Sequence, residues 1–401
     1  MLATAIKSHC QAILGQQPGN RLLALDVFRG ITITAMILVN NPGSWQHIYG
    51  PMRHAQWHGW TLTDLIFPFF IFIVGVSIQL SGQRMLASGT SRTSIIKQAL
   101  LRTFKLVLLG WFLALFYYDF GAEHYNWVEQ RLLNMRFMGV LQRIAVVYFI
   151  CVLMWLFLSK RGLLVSFVGI LLLYWLALAA IPYYDKAGNS YSGLLEFGNN
   201  LSAWLDSWLF AAPHLYYSSA TPFAFDPEGI LSTLPAVASG ISGMLVGYLL
   251  TQSSLINRDK TIALFVLGSI GVLLGELWHG YFPINKALWT SSYVLLTSAY
   301  ACLVLASLIF ILDSKKITYW SAPFVVFGAN SIAFFMFAGV VARILIMWPI
   351  GEISLKTWLF VHVFQPLFGS LNGSLLFALS FLVLSYVFMY WLYRKRIFWK
   401  V

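Results

Sequence analysis

Residues 64–82 read DLIFPFFIFIVGVSIQLSG, a carboxylate followed by an almost unbroken apolar run long enough to cross hydrocarbon as a helix. Comparable runs lie to either side, near 24–40, 101–118, 138–158, 162–182, 229–251, 261–279, 288–312, 321–348 and 374–393. Ten spans are predicted. Only helices fit, because a segment in lipid must satisfy its backbone polar groups internally and these runs lack the alternation of a barrel strand. The fold class is therefore an all-α polytopic membrane protein. Composition agrees: 59% of the 401 residues are hydrophobic and 10% charged, where a soluble domain spends about a quarter of its chain on charge.

A net charge of +12 would suit a nucleic-acid binder if the basic residues clustered on a polar domain, and the sequence has no such domain, so no nucleic-acid partner is expected. The charges orient the bundle instead. With the N-terminus inside, seventeen of the 26 basic residues fall on inner segments: Lys7, Arg21, Arg84, Arg92, Lys97, Arg102, Lys105, Lys160, Arg161, Arg258, Lys260, Lys315, Lys316, Arg394, Lys395, Arg396 and Lys400. Six fall outside: Arg53, Arg131, Arg136, Lys186, Lys286 and Lys356. Arg29, Arg143 and Arg343 lie within spans, and most acids fall outside. Both termini are expected in the cytosol.

The start of the chain carries Lys7 and a short apolar run broken by Ser8, His9, Cys10 and Gln11, a poor secretory signal, so the first span serves as its own address. Residues 1–21 are expected to form a cytosolic segment, and 22–401 one membrane domain with outer loops at 41–61, 119–137, 183–228 and 349–373. The longest of these, 183–228, is long enough to imply a task of its own. Cys10, Cys151 and Cys302 are too dispersed for a disulfide framework or a zinc site. Glycines 240, 243 and 247, and again 268, 271 and 275, predict close helix packing.

Ionisable residues in spans are costly, so each is a functional candidate. Asp26 and Arg29, three apart at the inner end of the first helix, read either as a structural ion pair or as a place where Arg29 holds an anion entering from the cytosol. Arg102 and Lys105 at the inner edge of the third span read either as positive-inside bias or as a phosphate clamp. At the outer end of the first helix, Asn40 is followed by His47, His54 and His58, and then by Asp64. His54 and His58 have metal-ligand spacing only on a helix, which Gly50, Pro51 and Gly59 oppose, so no metal is predicted. Acid–base chemistry is the alternative: a carboxylate at Asp64 can fix the tautomer of a histidine, and Asn40 can donate to a developing oxyanion. Arg136, Gln142, Arg143, Asp226, Glu228, Glu276, Asn285 and Lys286 share the same outer depth. They read as caps and interhelical ties or as the walls of a cavity opening outward.

The segments LDVFRG (25–30), HAQWHGWTLTDLIFPFFIFIVG (54–75), GVLQR (139–143), FDPEGIL (225–231), INKALWTSSYV (284–294) and RKRIFWK (394–400) occur in the order and contexts of a known family. The chain resembles the heparan-alpha-glucosaminide N-acetyltransferases and their bacterial inner-membrane relatives over nearly its whole length. The resemblance implies a multi-pass inner-membrane acyltransferase. Acetyl-CoA is used from the cytosolic side, and the amino group of a glucosamine-type sugar is acetylated on the opposite face. It implies His54 as the active histidine, Asp64 as its partner, Asn40 as the helix-end asparagine, Arg102 as part of the CoA site, and a homodimer in the bilayer. With Arg102, the inner Lys105 and Arg29 are expected to hold acetyl-CoA, and Arg136, Arg143, Asp226, Glu228, Asn285 and Lys286 to line the sugar site. The animal enzymes' leading span and luminal segment have no counterpart in the resemblance, and 183–228 is only weakly alike beyond His214, Leu215 and Tyr216. A small amino sugar or cell-wall fragment from the periplasm is therefore the expected acceptor, rather than heparan sulfate. Two other functions fit the same residues: a secondary transporter of a sugar or organic anion, and an O-acetyltransferase acting on a glycan hydroxyl. Transporters of that kind usually pair interrupted helices in repeated halves, and the sequence offers no matching pair.

Overall fold

The computed structural model describes residues 2–15 and 22–399. Arg21 and Lys400, both assigned above to the inner side, lie outside the described residues, as does the side chain of Lys7. The helices are α1 (Leu2–Leu14), α2 (Leu23–Asn40), α3 (Leu62–Ala87), α4 (Arg92–Leu115), α5 (Val140–Phe157), α6 (Lys160–Ala180), α7 (Leu201–Leu209), α8 (Ile230–Thr251), α9 (Asn257–His279), α10 (Ser291–Leu308), α11 (Ala322–Ala329), α12 (Ser331–Met347), α13 (Leu355–Leu359), α14 (Gln365–Phe368) and α15 (Ser370–Arg394). Among the described residues nine helices are long and apolar enough to cross a bilayer, and a bent pair brings the number to ten if it is counted as one span. The chain is an all-α polytopic membrane protein, whose described residues include three small hairpins of two-residue strands.

Two spans differ from their sequence reading. The run at 321–348 is broken at Asn330, where α11 and α12 bend by 76°. There the Asn330 amide donates to the Ile397 carbonyl at 2.8 Å and its oxygen accepts from the Trp399 N–H at 3.0 Å, so the C-terminal segment takes up polar groups beside the break. The third helix begins at Arg92, well before the predicted 101, because Ser91 caps it by accepting from the Ser94 N–H at 3.2 Å.

Helices α3 and α8 run through the middle of the bundle and touch backbone to backbone. A Cβ at Gly75 would overlap the Gly240 carbonyl, and one at Gly243 would overlap that of Phe72. Gly268, Gly271 and Gly275 of α9 meet Leu303, Ala299 and Leu296 of α10 instead. The two glycine series therefore serve different partners by one mechanism, close approach through small residues.

One buried cluster surrounds α2 with α10, α11 and α15, and a second joins α3, α4, α5 and α8. A third lies at the ends of the spans. There Tyr183, Leu201, Phe223 and Phe225 pack with Tyr174 and Leu178 of α6 and with Phe282, and make the connection 183–228 a small ordered cap. It is built from the hairpins Tyr183–Tyr184 with Ser190–Tyr191 and Leu195–Glu196 with Asn199–Asn200, followed by α7.

Candidate active site

The site is assembled where α3 starts. Thr61 and Asp64 form a capping box in which the Asp64 carboxylate accepts from the Thr61 N–H at 3.0 Å, the sequence pattern T-x-x-D being a helix-start signature. The same Oδ2 accepts from the Ala55 N–H at 3.0 Å, which folds the preceding loop back over the cap. The other oxygen, Oδ1, is 2.6 Å from His54 Nδ1. The Asp64 side chain is 1% exposed and that of His54 50%, so the carboxylate is a fixed anchor and the imidazole meets a cavity. The loop itself is irregular: apart from one 3₁₀ turn at Gly50–Met52 it has no helix, and Gly59 sits at φ +94, a conformation that favours glycine.

Two neighbouring segments hold this loop. Trp57 donates to the Leu195 carbonyl at 2.7 Å and packs edge-on against Phe197 and Phe225, so the 183–228 cap clamps it from one side. From the other side the Asn285 amide donates to the Trp57 carbonyl at 2.9 Å and the Gly59 N–H to that of Ile284 at 2.8 Å. Lys286 follows directly. Its Nζ lies 2.9 Å from His54 Nδ1, 3.3 Å from Nε2 and 3.5 Å from Asp64 Oδ1. Burial holds its pKa below the ordinary lysine value against the opposing pull of Asp64. Because Nδ1 is shared between a carboxylate and an amine, the state of Lys286 bears on which proton His54 carries.

Around this pair is a cavity of about 340 Å³ lined by Asn40, His54, Asp64, Arg136, Glu228, Lys286, Trp289 and Tyr216, among others. Arg136 grips Asp226 with two hydrogen bonds of 2.6 Å, also bonds Glu228, and lies over the Tyr216 ring. Burial works to lower the Arg136 pKa, but Asp226 and Glu228 hold it above the ordinary arginine value. Burial likewise pushes Asp226 up, while the charge of Arg136 overcomes burial and keeps Glu228 low. Asp206 of α7, a residue that the sequence did not single out, accepts from the backbone N–H groups of Asp226 and Ile230 and so seats the FDPEG turn at the start of α8. Burial raises it to about 7.

A second cavity, about 510 Å³, adjoins the first through Asn40, Arg136, Val140 and Tyr216, and Gln142 lines it. A third, about 550 Å³, is lined by Arg29, Ser77 and Arg102, and Met36 and Val140 border both it and the histidine cavity. Arg29 donates to Ser77 at 2.8 Å with Asp26 3.8 Å away. Arg102 lies over Tyr148 with a buried Nε that has no hydrogen-bond partner among the described residues.

Some of the predicted residues stand elsewhere. Lys105 is exposed and lines none of these cavities, because on α4 the bundle-facing row through Arg102 continues to Leu106, one turn on, and not to Lys105. Arg143 is fully buried behind the site, bonding the Gly229 carbonyl and Ser232 and lying 5.1 Å from the centre of the Trp289 ring. Asp226 and Asn285 are buried braces rather than cavity walls. Glu276 is exposed on α9. His47 packs edge-on to Phe360, and His58 lies 3.5 Å from the Asn285 amide, so neither joins the His54 pair. Besides Asp206, the sequence also gave no sign of Tyr293, whose hydroxyl donates to the Asp64 carbonyl at 2.5 Å, or of Met36 at the wall between cavities.

The chain is thus a helical membrane protein in which a carboxylate-anchored histidine faces one cavity and a basic cavity lies behind it, an arrangement suited to acid–base chemistry. Residues 21–276 match the family model described as heparan-alpha-glucosaminide N-acetyltransferase, catalytic. The chain belongs to that family. It is 29% identical over 423 residues to the human heparan-alpha-glucosaminide N-acetyltransferase, covering 95% of this chain and 60% of that protein. The mouse protein of the same name is 29% identical over 429 residues, with 95% and 61% covered. The chain thus spans about three fifths of the length of these relatives.

Proposed function

We propose that this protein acetylates the amino group of a glucosamine-type sugar on the outer side of the inner membrane, using acetyl-CoA from the cytosol. The carrying observation is the row of cavities with shared walls, from the basic chamber at Arg29 and Arg102, past Met36 and Val140, to His54 and Asp64. Arg29 and Asn40 lie eleven residues apart on α2, about 16 Å along its axis, so the row covers much of the hydrocarbon depth. The excess of base on one side and acid on the other supports the assignment of CoA to the Arg29 end, with both termini cytosolic.

In this reading Arg102 and Arg29 hold the phosphates of acetyl-CoA and the thioester reaches toward His54. The sugar amine attacks the thioester carbonyl carbon. A C–N bond forms, the C–S bond breaks, His54 Nε2 takes the proton from the nitrogen, and that proton passes to the departing thiolate as free CoA. Asp64 holds Nδ1–H and thereby leaves Nε2 as the base, and Asn40 donates to the oxyanion, a role supported by its place in the lining of both chambers. Attack by His54 itself, giving an acetyl-imidazole, is the rival route and would show ping-pong kinetics. The family resemblance supports a homodimer.

The test is His54→Ala, assayed with acetyl-CoA and glucosamine in liposomes by thiol release and by mass spectrometry of the sugar. Loss of thiol release and of the N-acetyl product is expected. Undiminished activity refutes the assignment, and product acetylated on oxygen corrects the acceptor atom.

A further inference from the structure

The second cavity holds two arginines that the proposed reaction does not use. Arg131 comes from the turn Val128–Leu132 in the outer loop, and Arg343 from α12 on the far wall. The two are close enough to act on each other as like charges. Arg131 lies over the Tyr117 ring with its Nε buried and, among the described residues, without a hydrogen-bond partner, and Arg343 uses one nitrogen on the Gly339 carbonyl at 2.9 Å. The third arginine of the cavity, Arg136, is spent on Asp226 and Glu228. Among the described residues neither Arg131 nor Arg343 has an acidic partner, and the cavity wall carries no Asp or Glu. Converging cations with free donors, set among the side-chain amides of Asn134 and Gln142, make a site that lacks only its anion.

This cavity shares Asn40, Arg136, Val140 and Tyr216 with the histidine cavity, so a ligand can occupy both at once. We propose that Arg131 and Arg343 bind an oxyanion carried by the acceptor, a carboxylate or a phosphate monoester on the amino sugar or on its neighbouring unit. The substrate class is then anionic amino sugars. The amine lies against His54 and the anion one chamber away, which fixes the direction in which the sugar enters. Two guanidiniums facing one oxyanion form charge-assisted bonds that a neutral sugar cannot replace.

The inference rests on the transferase reading, and the experiment separates the two. The purified full-length protein is given acetyl-CoA with methyl glucosaminide, glucosamine 6-phosphate or muramic acid, and KM is read from thiol release. At least one anionic sugar is expected to show a KM about tenfold below that of methyl glucosaminide, the gap closing as salt is raised. Comparing the phosphate with the carboxylate tells which group the site takes. Arg131→Gln, a change outside the spans, and Arg343→Gln should each raise the anionic KM about tenfold while leaving methyl glucosaminide unaffected. Equal KM for all three sugars, or variants that weaken neutral and anionic sugars alike, overturns the proposal. Should no sugar release thiol, the transferase reading fails, and the anion site is then judged by direct binding of the same three sugars to wild type and Arg131→Gln. Weaker binding of the anionic sugars alone upholds the site, and unchanged binding overturns it.

Discussion

Replacing Asp64 by Asn tests how the histidine is controlled, because the surroundings of the carboxylate dictate which way the new amide must turn. Oδ2 receives the N–H groups of Ala55 and Thr61, both at 3.0 Å, while Oδ1 faces His54 Nδ1 at 2.6 Å. An Asn with its NH₂ toward Ala55 and Thr61 would set donors against donors and lose two hydrogen bonds, each worth about 1 kcal/mol net and more when left unsatisfied. The amide oxygen therefore takes the Oδ2 position, and the NH₂ points at His54. Nδ1 must then accept, which moves the imidazole proton to Nε2, the atom that should take the proton from the amine. The capping box survives and the volume is unchanged, so the fold should persist. The loss of general-base catalysis predicts a fall in kcat of about 10²- to 10⁴-fold with a small change in the KM for acetyl-CoA. Asp64→Ala leaves the tautomer free but removes the cap, so it should lower thermal stability more than Asp64→Asn does. The assay is thiol release from acetyl-CoA, with the unfolding midpoint of each variant followed in the same detergent. A folded Asp64→Asn protein retaining more than about a tenth of wild-type kcat would refute tautomer control by Asp64.

Two further outcomes follow from particular contacts. Arg102→Ala should raise the KM for acetyl-CoA by roughly tenfold or more, because it removes a guanidinium whose buried Nε has no hydrogen-bond partner among the described residues; a KM within twofold of wild type removes Arg102 from the CoA site. Burial lifts the Asp206 carboxyl from 3.8 to about 7, so between these values the folded state binds more protons than the unfolded state and stability falls as pH rises. The loss reaches up to about 4 kcal/mol at pH 7 and above. Whatever Asp206→Asn costs in capping, unfolding midpoints taken from pH 5 to pH 8 should move steadily in favour of the variant; a constant offset means that Asp206 does not titrate there.

The residues that were legible in sequence and those that were not differ in a physical way. His54 and Asp64 could be paired because both lie in one short loop that closes on a capping box, a local motif that forms without reference to the rest of the bundle. Arg136, Asp226 and Glu228 could be placed at one depth because the rise of a helix converts residue number into distance along the membrane normal. Depth is what a hydropathy profile reports. Rotation about the helix axis is not, since lipid is as apolar as a leucine core and a span such as α3, apolar all round, carries no mark of which face is inward. That is why Lys105 and Glu276, chosen by depth, prove to be exposed, and why Arg143 stands behind Trp289 instead of lining the histidine cavity.

The same distinction explains which residues were missed. Trp57, Met36 and Asp206 act through contacts between segments far apart in the chain: Trp57 with Leu195, Met36 at the wall of two cavities, Asp206 with Asp226. None changes the local pattern of apolar and polar residues, so none leaves a signal in it. Charges inside spans are a partial exception, because the cost of facing lipid favours an inward rotation as well as fixing a depth. Arg29 and Arg343 follow this rule, each lining a cavity, whereas Glu276 escapes it near the end of α9, one turn from the helix terminus at His279. Depth alone does not settle the matter, since Lys105 in the middle of α4 is exposed and lines none of these cavities while Asp64 in the first turn of α3 lines one; a charge inside a span narrows the search for a cavity wall and the packing of its helix completes it.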